Sequence, residues 1–133
     1  MNNREEDLEV ICDDDCGNAP KKQLIKEFNL AFATNNVEFV ISCVSDDIKW
    51  NIVGDQFIQG KKAFSEALQQ MKESNISKIH MKNIITHGRT GAADGTLFFN
   101  GGKQIHFCDI IMFTSAGKQA KIKELTSYVI EES

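Results

Sequence analysis

DDIKWNIVGDQFIQGKKAFSEAL, residues Asp46 to Leu68, changes its hydrophobic period halfway along. Ile48, Trp50 and Ile52 alternate with Lys49, Asn51 and Val53, the period of a strand with two unlike faces. Gly54 marks a turn and Gly60 a second stop. Beyond Gly60 the apolar residues Phe64, Ala67, Leu68 and Met71 fall at helical spacing, so one stripe of that helix must pack on something. A strand bearing a large aromatic ring, followed at once by an amphipathic helix, places the ring between sheet and helix, where it either fills a core or lines a cavity.

The remaining sequence makes one domain around this segment. A chain of 133 residues can bury a single core without metal or disulfide help. A hydrophobic fraction of 41% and a charged fraction of 26% are those of an ordinary soluble globule. The net charge of −4 excludes the basic field that nucleic acids and anionic membranes require. No apolar run reaches the roughly 18 residues of a membrane span. The start, MNNREEDLEV, is acidic and carries no apolar leader core. The expected compartment is therefore the cytoplasm, with no nucleic-acid or membrane partner.

Four cysteines follow from that compartment as four free thiols, Cys43 on an apolar helix face and Cys108 inside a strand. Cys12 and Cys16 are separated by three aspartates, which is neither redox nor zinc spacing. The aspartate run also lacks the alternating ligands and closing Glu of a calcium loop. No metal and no cofactor are expected.

Along the chain, residues 4–11 read as a short helix with Leu8 and Ile11 on one side, broken by CDDDCGN. Residues 1–18 form an acidic extension expected to add little to the core, and residues 19–133 form the domain. Asn18 offers a cap and Pro20 suits a first helical turn. Leu24, Phe28, Ala31 and Phe32 then make one stripe to about Thr34. Asn35 with Glu38 approximates a capping box for a second helix through Val44, with Val37, Val40, Ile41 and Val44 inward. After the Gly60 helix the chain turns strand-rich: Ile76–Ile85, Gly95–Phe99 leading into the hairpin signal Asn100-Gly101-Gly102, Gln104–Thr114, and Lys121–Ile130. The order helix, helix, strand, helix and about four antiparallel strands is α+β, with helices on one face of a curved sheet.

That order, the W-x-x-x-G-D…G-K-x-A-x-x-x-A-L segment and the closing K-I-K-E-L-T-S-Y-V strand resemble the SnoaL-like branch of the nuclear transport factor 2-like superfamily, over residues 20–130. The resemblance implies a cone-shaped α+β domain, three main helices closing a pocket in a curved sheet, and a homodimer through the outer sheet face. Cys108, Ile110, Met112 and Tyr128 would meet the partner there. It does not imply one chemistry, since the fold hosts isomerases, cyclases, dehydratases, epoxide hydrolases and non-catalytic proteins. The ketosteroid isomerase pattern has an aspartate base after the first strand, a tyrosine on the first helix and a second acid on the long strand. Those positions carry Asn51, Phe28 and Asp109. The limonene epoxide hydrolase pattern needs an Arg–Asp pair and an acid on the last strand, where Ser127 stands, and no Arg follows Arg89.

Asp109 is the residue the sequence singles out for chemistry. It shares a strand face with Ile105, Phe107, Ile111 and Phe113, where an isolated charge is costly, so the carboxyl is either protonated or paired. It either donates to a ligand oxygen or serves as a structural carboxylate capped by Trp50 or backbone. His106, three residues away, falls on the opposite face, and His80 and His87 read as sheet and turn residues. Trp50, Asn51, Phe28, Phe32, Phe107 and Ser127 are the candidate ligand contacts, each with core or turn duty as its alternative. Two functions fit. One is a pocket for a small hydrophobic, oxygen-bearing molecule, with or without acid/base catalysis. The other is an interaction module whose cone is packed solid by Phe28, Phe32, Phe57 and Phe107. Cavity volume separates them.

Overall fold

A computed structural model describes residues 8–12, 20–71 and 75–132. In chain order the elements are β1 (Glu9–Cys12), α1 (Pro20–Ala33), α2 (Val37–Ser42), β2 (Val44–Ile52), β3 (Gln56–Gln59), α3 (Lys61–Gln70), β4 (Ile76–His87), β5 (Thr90–Phe99), β6 (Gln104–Phe113) and β7 (Ile122–Glu132). All seven strands join one open, mixed sheet in the order β1-β4-β5-β6-β7-β2-β3. The long strands β4 to β7 run antiparallel, whereas β2 lies parallel to β7 and β1 parallel to β4. The expected α+β architecture, with three helices over a curved sheet, is what the chain adopts.

Curvature has a local cause. The β4–β5 ladder shifts register between Ile76 and Lys78 and again between Met81 and Asn83, and such bulges bend and twist a strand. Gly95 sits opposite Met81 at the second shift, and opposite Phe107 on its other side. A Cβ at Gly95 would overlap the His80 carbonyl oxygen and press on the Phe107 ring. The missing side chain therefore lets the sheet fold over its inner face, where the helices pack.

α1 ends in a Schellman turn. Asn35 takes φ 63°, and the Asn36 N–H donates to Ala31 O at 2.8 Å while the Asn35 N–H reaches Phe32 O at 3.2 Å. The cap of α2 is accordingly Asn36, whose side chain accepts from Phe39 N at 3.3 Å, one residue later than the expected Asn35. α2 is also shorter than expected: Cys43 closes it, and Val44 already belongs to β2. Two lysines fasten the helices to the sheet connections. Lys21 Nζ donates to Ala116 O and Gly117 O at 2.6 and 2.7 Å, and Lys121 Nζ to Ser42 O at 2.8 Å.

The amino-terminal extension differs from its reading. Residues 9–12 are not helical but form β1, in register with Lys78 to Met81, and Leu8 and Cys12 pack against the core. Leu8 and Ile11 suggested a helical face, yet EVIC is half β-branched and meets an open sheet edge, so pairing prevails over local periodicity. Asn18 and the aspartate run lie outside the described residues. Cys12 is disulfide-bonded, whereas Cys43 and Cys108 are free thiols, so the expectation of four thiols does not hold. Among the described residues no helix is long and apolar enough to cross a membrane.

Gly95→Ala should destabilise the protein by about 3 kcal/mol, the upper range for forcing atoms into a packed site, as read by urea denaturation. Gly117→Ala, where a new Cβ meets only Ser115 Oγ at 3.5 Å, should stay close to wild type. Equal stability of the two variants would mean that the bend does not depend on Gly95.

Candidate functional site

The inner face of the sheet and the helices enclose a cavity of about 290 Å³. Its walls are apolar: Phe28 and Phe32 from α1, Val40 from α2, Leu68 from α3, and Ile105, Phe107 and Leu125 from the sheet. A cone packed solid by phenylalanine is not what forms. Phe28, Phe32 and Phe107 line the space without filling it, and Phe57 on the edge strand β3 is 58% exposed.

Trp50 is held in one orientation by three contacts. Its ring meets Phe32 edge-on, 6.0 Å between centroids, and Phe64 of α3 at 5.4 Å. Its indole N–H donates to Ser127 Oγ at 2.9 Å across the parallel β2–β7 pairing. Ser127 stands directly opposite Asp109 in the β6–β7 ladder, and both side chains are buried in the cavity wall. Ser127 hydrogen-bonds the Asp109 carboxyl. Because Ser127 Oγ accepts from Trp50, its single proton is the one left for Asp109.

Asp109 is 8% exposed. Burial raises its pKa from the usual carboxylate range to about 6, and the Ser127 hydrogen bond opposes the rise without cancelling it. The group is thus a carboxylic acid that changes charge close to neutrality. His106, as its strand position requires, is elsewhere: on the outer face, its Nδ1 pairs with Thr96 Oγ1 at 3.0 Å and its Nε2 with Glu132 Oε1 at 2.6 Å.

Phe28, Phe32, Trp50, Phe107, Asp109 and Ser127 therefore converge on one cavity. Asn51 does not. It is exposed on the opposite face of β2, paired with Phe57 of β3 and Thr126 of β7. Strand alternation is the reason: with Trp50 inward, its neighbour must point out. Three polar residues that the sequence reading passed over also line the cavity, namely Asn29, Asn35 and Asp55. Asp55 is exposed and follows the Gly54 turn, while Asn29 is buried within α1. Asn29 had a readable signal, an amide inside an otherwise apolar stripe, four residues after Ile25. Among the described residues no cluster of three His, Cys, Asp or Glu side chains is placed to hold a metal ion.

No protein-family profile matches this chain, and no functionally curated protein does. Solved structures do. An NTF2-like protein of unknown function from Cytophaga hutchinsonii is 25% identical with a TM-score of 0.63, over 81% of this chain and 97% of the other. An NTF-2 like protein of unknown function from Burkholderia xenovorans gives a TM-score of 0.71 at 15% identity, over 86% and 85% of the two chains. An LEH-like epoxide hydrolase from M. tuberculosis gives 0.66 at 17% identity, over 81% and 80%. Together with the element order and the bent seven-stranded sheet, these neighbours show that the chain has the nuclear transport factor 2-like fold.

Proposed function

We propose that the protein is a SnoaL-like small-molecule protein that takes a hydrophobic, oxygen-bearing compound into the cavity, with Asp109 as the acid that meets the ligand oxygen. The observation that carries this reading is Asp109 itself: a carboxyl in an apolar cavity wall, hydrogen-bonded by Ser127, which Trp50 engages in turn, with no cation among its partners in the described residues. In its neutral form such an acid donates to a carbonyl or enolate oxygen without needing an ion pair. Shared with an oxygen that gains negative charge, its proton would assist isomerisation, cyclisation or dehydration. Asp55 is the second acid on the cavity lining and the candidate to accept a proton from the ligand. An interaction module of the same fold is the alternative, and the open cavity favours a ligand over it.

The outer sheet face supports a homodimer as part of this proposal. Ile110 and Tyr128 are exposed there, beside half-buried Cys108 and Met112, on strands that pair Cys108 with Tyr128. Light scattering at micromolar concentration should give twice the chain mass, and a monomer would refute it.

Two variants test Asp109. Asp109→Asn keeps size and a donor, so it should fold, and should alter affinity or turnover for a bound ketone. Asp109→Ala should weaken ligand binding more than it weakens the fold. A structural carboxylate predicts the opposite order, with both variants melting early and binding following stability. Native mass spectrometry of the purified protein would show whether a compound travels with it.

The raised pKa also fixes a pH dependence. A folded-state value of about 6 lies above that of an unfolded aspartate, near 3.9, so the native state binds the extra proton between them. The contribution is full below about pH 4 and is lost as pH rises through 6. For a shift of about two units this amounts to about 3 kcal/mol. Denaturation of wild type and Asp109→Asn at pH 5 and pH 7.5 should show the variant gaining relative stability at the higher pH. No change in their difference would mean that Asp109 titrates as an ordinary carboxylate.

A further inference from the structure

Asn29 is a buried amide that its surroundings leave half-satisfied. It is 8% exposed, projects from α1 and lines the same cavity as Asp109. Its Nδ2 donates to Ile25 O at 2.9 Å. A carbonyl only accepts, so the nitrogen end must face Ile25 and the oxygen end cannot. Asn29 Oδ1 therefore has no protein partner among the described residues, on a lining where the neighbours Phe28 and Phe32 are apolar. The bond to Ile25 O gives the fold little, because that carbonyl already receives the helical N–H from four residues on. A buried acceptor with nothing to accept is costly, and native proteins keep few of them without a reason. Either water or a ligand supplies the missing donor.

We propose that Asn29 is a second recognition point of the cavity, selecting ligands that carry a hydroxyl or N–H in addition to the oxygen that meets Asp109. This rests on the ligand-binding reading of Asp109 and adds the substrate class. The two side chains ask for different things. Asp109 in its acid form offers a proton, so it takes an acceptor, while Asn29 Oδ1 can only take a donor. A ligand satisfying both is a hydroxy-ketone or similarly substituted cyclic carbonyl. The space of about 290 Å³ equals about ten waters at about 30 Å³ each, which suits one ring or two fused rings. The aromatic walls of Phe28, Phe32, Trp50 and Phe107 suit a flat one.

The test uses the full chain and matched ketones. Acetophenone and 1-tetralone carry an acceptor alone, and their ring-hydroxylated isomers add a donor at successive positions. Dissociation constants come from NMR titration at pH 5, where Asp109 is in its acid form. At least one hydroxylated isomer should bind wild type about tenfold more tightly than its parent, the value of one well-made hydrogen bond. In Asn29→Leu that advantage should vanish, and the melting temperature should match or exceed wild type because an unpartnered polar atom has been removed. Three results would overturn the proposal: no hydroxylated isomer gains on its parent, the gain survives in Asn29→Leu, or Asn29→Leu melts well below wild type. Plain ketones that bind without any hydroxyl gain would remove the role of Asn29 and leave that of Asp109 standing. If neither plain nor hydroxylated ketones bind wild type, the Asp109 reading fails and this inference falls with it.

Discussion

The Trp50 indole has one N–H, and the bond it makes to Ser127 Oγ at 2.9 Å orders everything that follows at the cavity wall. A serine hydroxyl left alone rotates and can donate or accept in several directions. Once its oxygen is engaged by the indole, the proton is directed to the neighbour across the ladder, which is Asp109. The carboxyl engaged in this way stands in the cavity lining. The ring cannot swing away, since Phe32 and Phe64 brace it from two different helices. Helix packing is thereby linked to the orientation of an acid on a strand that neither helix carries.

That linkage requires β2 to lie beside β7, and the topology provides it. β2 comes early in the chain and pairs parallel with the last strand, closing the order β6-β7-β2-β3. The alternation of Ile48, Trp50 and Ile52 made β2 legible, as did the helical stripe after Gly60, because both patterns are local and strong. β3 and β1 were not legible. Gln56–Gln59 is a four-residue edge strand with one buried side chain, too short for alternation to register. Glu9–Cys12 becomes a strand only because an open sheet edge is available, which no local pattern reports. β5 begins at Thr90, not at Gly95, since the weakly β-forming Gly91-Ala92-Ala93-Asp94 is held extended by partners on both sides.

The site was readable to the extent that strand alternation reaches. A period of two separates Asp109 from His106 and Ser127 from Tyr128, the family resemblance puts Ser127 inward, and the structure agrees on each. The same rule, applied strictly, would have removed Asn51 from the cavity once Trp50 was placed in it. Position by family pattern kept Asn51 as a candidate, and geometry rejects it. Asn29 escaped for a different reason. Helical stripes are read by their apolar members, so a polar residue inside one is easily assigned to the solvent side. The burial of α1 against the sheet shows that it is inside.

Two polar groups thus sit in a wall that a stability-optimised core would make apolar. Asp109 opposes folding at neutral pH through a raised pKa, and Asn29 does so at any pH through an oxygen without a partner among the described residues. A sequence selected only for folding could replace both by leucine or methionine with little rearrangement, since each faces open volume. Local choices that oppose stability are expected where function requires them and are compensated elsewhere. Here the compensation is visible in the surrounding core, where Phe64, Ile48, Ile111, Ile122 and Phe113 are fully buried. That core carries the fold, and Asp109 and Asn29 stand in the cavity lining, where a ligand would meet them.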